Sequence, residues 1–242
     1  MLFLRSLCFN LCFALNTLMF SIIICMLRFI APANLYVWAQ RWTRSTLFML
    51  RLICGIRVEI EGKENLPDEA CVVMAKHQSA LETIAMPMLI PSYVWILKYE
   101  LFYIPFFGWA LWALDAIAIR RGNPRKALKQ VNTEGMHFLK QGRWVVIFPE
   151  GTRSNVGETG EYKAGGIILA QKAHVGILPL AHNAGECWSK RAFIKKPGKV
   201  TLRFLPFIAA ETVQSAQRNE LLNTLQDKIE ENTRQLERIS HD

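Results

Sequence analysis

In "KHQSALET", residues 76–83, a histidine and a glutamate stand five positions apart, and the pair could move a proton near neutral pH. A neutral imidazole is the usual general base in that range, and a carboxylate commonly fixes its tautomer and orientation. Positions five apart lie about 140° apart on an ideal helix, so His77 and Glu82 do not meet on one regular face. If they pair, His77 lies just before a helix whose first turn carries Glu82, with Ser79 placed to cap it. The same helix start offers backbone N–H groups to a developing oxyanion. Taken alone, His-x4-Glu is read more plainly as a partly buried structural histidine and a solvated glutamate.

The second group is "FPEGTR", residues 148–153, where an apolar run stops at Pro149 and turns into charge. Arg153 offers a planar fork of donors suited to a phosphate, Gly151 permits close backbone approach, and Thr152 adds a hydroxyl beside Glu150. An arginine in a loop is usually a solvated charge, but this one sits among Glu, Gly and Thr at the end of a buried-type strand. Lys163, Gly165 and Gly166 open a helical pattern and form a second anion position. Arg120 and Arg121 add a third basic point.

These residues need a frame to aim them. "VEIEG" alternates as a strand, and "CVVMAK" and "WVVIFPEG" are continuous apolar runs of strand length, as in strands covered on both faces. His77 follows the first such run and "FPEGTR" ends the second; ligands of open α/β sheets gather beyond the carboxyl ends of strands. "PRKALKQVNTEGMHFLKQG" has helical spacing with a stop at Gly142, and "KAGGIILAQKA" is a helix entered through glycines. "GILPLAHN" and "KVTLRFLPF" supply further strands. From Glu211 on, the pattern predicts one polar helix with a thin stripe of Leu222, Leu225, Ile229 and Leu236. Residues 91–119 read as an irregular apolar segment plus a buried strand in contact with lipid, since Pro105, Gly108 and Asp115 interrupt a transmembrane reading. Alternating strands and helices give an α/β class: a mixed sheet flanked by helices, with an N-terminal hydrophobic helical membrane anchor.

That anchor is the uncharged stretch between Arg5 and Arg28, close to the roughly 20 residues needed to cross a hydrocarbon core. A cleaved signal peptide fits less well, because Arg28 separates the apolar run from the small residues at 31–33. Arg41, Arg44 and Arg51 then share a helical stripe beside Trp38 and Trp42, a composition suited to a lipid interface. The expected division is 1–54 for the anchor, 55–210 for the catalytic domain and 211–242 for a C-terminal helix. Of the 242 residues 51% are hydrophobic, too apolar for a disordered chain. The +9 charge favours anionic partners. Its basic residues form no recognisable nucleic-acid module, so nucleic acid is not expected as a partner. The six cysteines form no CxxC pair, so neither a disulfide framework nor a zinc site is indicated.

In order, "KHQSALET", "AIRRGNPRKA", "FPEGTRS", "YKAGGIILA" and "ILPLAHN" resemble the motif blocks of the glycerolipid acyltransferases, in particular the lysophosphatidate (1-acylglycerol-3-phosphate) acyltransferases. The resemblance spans roughly residues 55–210. It implies that His77 takes the proton from the free glycerol hydroxyl and that Glu82 orients and balances it. It implies an acyl thioester as donor, either acyl-CoA or acyl carrier protein, with no metal and no other cofactor, because a thioester is already activated. By the same resemblance Arg121, Glu150, Gly151, Thr152 and Arg153 bind lysophosphatidate, Lys163 and Gly165 belong to an adjoining motif, and Pro179 is structural. Phosphatidate, made for phospholipid biosynthesis at the cytoplasmic face of the inner or plasma membrane, is the implied product. The chain departs from the family's usual pattern at Glu82 (commonly Asp), Lys76 (Asn) and Arg120 (Asp). Another lysophospholipid or glycerol 3-phosphate is the alternative acceptor. A hydrolase would lack a G-x-S-x-G elbow. A basic lipid-binding adaptor is the non-enzymatic alternative.

Overall fold

A computed structural model describes residues 1–120 and 122–239. Helix α1 (Leu2–Ile30) runs into α2 (Leu35–Met49) through a short turn begun by Pro32, and the two pack side by side. Strand β1 (Ile56–Glu61) opens the α/β part. It is followed by β2 (Val72–Ala75), α3 (Leu81–Leu89), β3 (Tyr93–Lys98), α4 (Phe107–Ala113) and β4 (Ile117–Ile119). Helix α5 (Pro124–Lys140) starts as its sequence dictates: the Asn123 side chain accepts the Lys126 N–H at 3.0 Å, and Pro124 occupies the first turn. Then come β5 (Trp144–Ile147), α6 (Gly165–Ala173), β6 (Ile177–His182), the single turn α7 (Ala184–Cys187) and β7 (Gly198–Phe204).

Among the described residues seven strands form one sheet in the order β1-β7-β6-β2-β5-β3-β4. It is a mixed sheet: every neighbouring pair is parallel except β6 with β7. The central strand β2 is paired on both sides, with β5 and β6, in parallel. The segments that leave β2, β5 and β6 therefore emerge at the same edge. Every residue of β2 and β5 is buried, as the unbroken apolar runs require. Alternate side chains serve two cores: Val73, Tyr93 and Val146 pack on the side of α1–α4, and Val72, Met74 and Val145 on the side of α5, α6 and the C-terminal helices.

Two expectations change. Residues 91–119 hold two strands, β3 and β4, around α4: Pro105 and Asp115 fall in the connections on either side of that helix, and Gly108 lies in its first turn. The C-terminal tail is two helices, α8 (Ala210–Ser215) and α9 (Arg218–Ile239), broken at residues 216–217. Nor is α9 merely polar: besides Leu221, Leu225, Ile229 and Leu236 it buries Glu230, Thr233 and Glu237 against the sheet side, with Leu222 only partly covered.

The N-terminal helix is 29 residues long, about 43 Å, and apolar enough to cross a membrane. Its few polar residues are the ones that face the protein. Lys195 donates its backbone N–H to Ser6 Oγ and its ammonium to Asn10 Oδ1, at 2.9 and 2.6 Å. Asn16 bonds Thr46, and Trp42 donates to Thr17, each at 3.1 Å. At the far end Arg28 meets Asp115 at 3.1 Å. Leu4, Leu11, Leu15, Met19, Met26 and Phe29 are left exposed on the outside.

Candidate active site

The loop after β2 turns His77 back onto α3. Glu82 lies in the first turn of α3, as the spacing demands, and its Oε1 receives the His77 Nδ1–H at 2.8 Å. The same oxygen accepts the backbone N–H groups of Gln78 and Ser79, at 3.2 and 3.0 Å. Ser79 Oγ accepts the Leu81 N–H at 3.1 Å, while Ala80 is the residue at the cap position. The amides of Gln78, Ser79 and Leu81 are thus already engaged within the protein.

Glu82 is fully buried. Burial alone would raise its carboxyl, but the nearby His182, the hydrogen bond and charge of His77 and the Ser79 amide outweigh that, and the group is held below its ordinary range. It therefore stays ionised while holding His77 by Nδ1. The His77 ring stacks on Phe148, with centroids 4.0 Å apart, and it lines a cavity of about 1010 Å³. With Nδ1–H committed to Glu82, Nε2 keeps the lone pair that a base needs.

The "FPEGTR" loop leaves β5 beside it. Ser154 donates its N–H to the His77 carbonyl at 2.9 Å and its hydroxyl to the same oxygen at 3.2 Å, so the two loops are joined directly. Gly151, Thr152, Arg153, Lys163 and Gly165 line the cavity that His77 lines. Gly151 adopts φ +67°, a conformation natural to glycine, and the Lys163 ammonium lies 3.6 Å from where a Cβ would stand. The geometry thus brings together all these residues predicted from sequence.

Glu150 behaves differently from its expected role in binding substrate. It does not line the cavity; it turns inward, is buried, and accepts the His77 backbone N–H at 2.9 Å. Arg120 stacks its guanidinium over Tyr99, 4.0 Å from the ring centre, and Arg121 lies outside the described residues. From the polar end, the cavity runs between α1, α2 and α4 past Phe20, Ile24, Ala110, Leu111 and Leu114, an apolar wall suited to hydrocarbon.

Several residues escaped the sequence reading. His182, at the end of β6, is fully buried; its Nε2–H donates to the Lys76 carbonyl at 2.8 Å and its Nδ1 accepts the Ala184 N–H at 3.2 Å. Those partners require the neutral ring, and burial lowers its proton affinity against the opposing pull of Glu82, 4.0 Å away. Lys190 and Arg191, on the segment after α7, also line the cavity. Their signal was the basic run "SKRAFIKK".

Residues 57–183 match the family model described as Acyltransferase. A 1-acyl-sn-glycerol-3-phosphate acyltransferase of Pseudomonas aeruginosa is 44% identical over 188 residues, covering 76% of this chain and 73% of that one.

The chain belongs to the acyltransferase family.

Within the family its likeness to the 1-acylglycerol-3-phosphate acyltransferases recurs at greater distance. The chloroplastic enzyme LPAT1 of Arabidopsis thaliana is 36% identical over 126 residues, 51% of this chain and 35% of its own length. The alpha enzyme of Homo sapiens is 32% identical over 173 residues, 69% of this chain and 60% of its own. The fold is shared with the crystal structure of the 1-acyl-sn-glycerophosphate (LPA) acyltransferase of Thermotoga maritima, at TM-score 0.77 and 23% identity over 97% of this chain and 95% of that one. In family terms, the "KHQSALET" and "FPEGTRS" blocks lie side by side because β2 and β5 are neighbours.

Proposed function

We propose that this acyltransferase moves an acyl group from a thioester, acyl-CoA or acyl carrier protein, to the sn-2 hydroxyl of 1-acylglycerol 3-phosphate and so forms phosphatidate. One observation carries the reading: the His77–Glu82 pair opens on a cavity that holds Arg153 and Lys163 at its polar end and an apolar wall beyond. A phosphate held by the cations leaves the glycerol hydroxyl within the range of His77, while a hydrocarbon chain fits the wall.

His77 Nε2 takes the hydroxyl proton as the oxygen attacks the thioester carbonyl. The imidazolium that forms is balanced by Glu82, whose carboxylate is already ionised. Collapse of the tetrahedral intermediate breaks the C–S bond, and the thiolate recovers the proton from His77. Electrons and protons balance with the protein unchanged.

Residues 1–54 attach the enzyme to the bilayer, and residues 55–210 carry the chemistry. Because Lys195 bonds Ser6 and Asn10 near one end of α1 and Arg28 pairs with Asp115 at the other, both ends of α1 are tied to the same body. The helix therefore lies along the domain with its apolar outer face in one leaflet, the cytoplasmic leaflet of the inner or plasma membrane.

The test is acyl transfer by washed membranes supplied with lysophosphatidate and either thioester, phosphatidate being read by mass spectrometry. Wild type is expected to make phosphatidate and His77→Ala, at equal abundance, to make none. No product from wild type with either donor overturns the acceptor; equal product from both proteins overturns the mechanism.

A further inference from the structure

Behind the active site, facing away from the cavity, sits a buried charge cluster that the reaction as written does not use. The Lys76 side chain is completely buried. Its ammonium donates to Glu230 Oε1 of α9 at 2.7 Å and to the Glu158 carbonyl at 3.0 Å, and lies 3.5 Å from Glu150 Oε2. Tyr162 donates its hydroxyl to the same Glu230 oxygen at 3.0 Å, and Thr159 donates to the other at 3.3 Å. Glu150, the third member, holds the backbone N–H of His77 through its Oε1. A continuous line of charged and hydrogen-bonded contacts therefore runs from α9 to the peptide of the catalytic histidine.

Resting on the reading of His77 as the base, we propose that Glu230, acting through Lys76 and Glu150, is a positioning residue for His77, which makes the C-terminal helix part of the catalytic unit.

The balance of charge gives the reason. One cation is shared between two carboxylates, and its place between them is set by their opposing attraction in a site closed to water. With Glu230 neutral, Lys76 is drawn to Glu150 alone. Glu150 cannot retreat, because the Gly160 backbone covers it so closely that an added Cβ would stand 2.8 Å from its Oε2. It turns instead, and the oxygen that fixes the His77 N–H turns with it. A buried ion pair adds little net stability over well-packed apolar residues, so stability alone is a poor account of three charges gathered beside the histidine. The far anchor is rigid: Leu225, Ile229 and Leu236 seat α9 in the core, and Gln78, next to His77, donates to Glu237 of the same helix at 2.9 Å.

Glu230→Gln keeps the shape and removes the charge. Val213→Ala, a cavity under the separate helix α8 and outside both the charge cluster and the substrate cavity, serves as the control for stability. Both are compared with wild type in detergent for melting temperature, kcat, KM and hydrogen exchange of the 76–79 segment. Glu230→Gln is expected to lower kcat on the order of tenfold with KM for lysophosphatidate nearly unchanged, and to speed exchange at His77. Val213→Ala is expected to lower the melting temperature while leaving kcat and that exchange within about twofold of wild type. Wild-type kcat and exchange in Glu230→Gln, or kcat losses that follow melting temperature in both variants, overturn the proposal. If Glu230→Gln fails to accumulate, Tyr162→Phe removes only the hydroxyl that steadies Glu230; a lower kcat at constant KM supports the proposal and an unchanged kcat overturns it. Wild type inactive on lysophosphatidate would refute the functional reading, whereas the exchange comparison decides this one regardless.

Discussion

Ser154 donates both its backbone N–H and its hydroxyl to the carbonyl oxygen of His77, at 2.9 and 3.2 Å. A residue just past "FPEGTR" thus fixes the peptide of the histidine 77 positions earlier. The loop that carries His77 and the loop that carries Arg153 are thereby joined directly.

His77→Ala removes the proton acceptor and is expected to cost about 10²–10⁴ in kcat. Glu82→Asp keeps the charge but shortens the reach to His77 Nδ1 and to the amides of Gln78 and Ser79. A loss on the order of tenfold is expected, smaller than for Glu82→Gln. Steady-state rates with purified, detergent-solubilised variants check the ranking; an aspartate variant as slow as the glutamine one would show that charge is not what Glu82 contributes.

Arg153→Ala is expected to raise KM for lysophosphatidate about tenfold to a hundredfold, the worth of a charge-assisted hydrogen bond, with a smaller effect on KM for the thioester. Gly151→Ala forces a left-handed backbone on a residue with a Cβ, at a cost of about 1–2 kcal/mol. Its melting temperature should fall, whereas that of Arg153→Ala should not. Separate titrations of the two substrates decide whether Arg153 serves the acceptor.

Ala110 is small, 4% exposed and on the apolar wall of the cavity. Ala110→Phe fills that end, so the variant is expected to favour shorter acyl chains in a competition between thioesters of different length. Product chain lengths read by mass spectrometry check this, and an unchanged distribution would place the chain elsewhere.

His182 is held neutral, with its proton affinity below the ordinary 6.5, chiefly by burial. The unfolded chain binds a proton at this position at higher pH than the native one does. The stability that the neutral ring contributes is therefore complete above about pH 6.5 and is lost as pH falls below it, by up to about 1.4 kcal/mol for each pH unit. Glu82, held below its ordinary 4.5, adds a similar loss only at lower pH. Urea midpoints between about pH 7.5 and pH 5 should fall less steeply for His182→Asn than for wild type. Parallel curves would assign the slope to other groups.

Much of this was written locally. The apolar runs at 71–76 and 144–148 predicted β2 and β5, the helical spacing from Pro124 and the stop at Gly142 predicted α5, and the five-residue spacing of His77 and Glu82 required a loop followed by a helix start. Such signals act within a turn or a strand, where backbone geometry leaves few choices. The motif order identified the family for the same reason: it needs no knowledge of which strand neighbours which.

Only the tertiary structure decided what lies behind the motifs. That β2 sits between β5 and β6 brings His77, Ser154 and His182 to one edge, and no local rule gives that order. Glu150 stands in the same motif as Arg153, yet it turns into the protein because Lys76 waits there. Lys76 in turn meets Glu230, 154 residues away, and that pairing ties a helix with polar spacing to the segment behind His77. A buried charge selects its partner by proximity in a medium without water, and proximity is settled when the whole core closes.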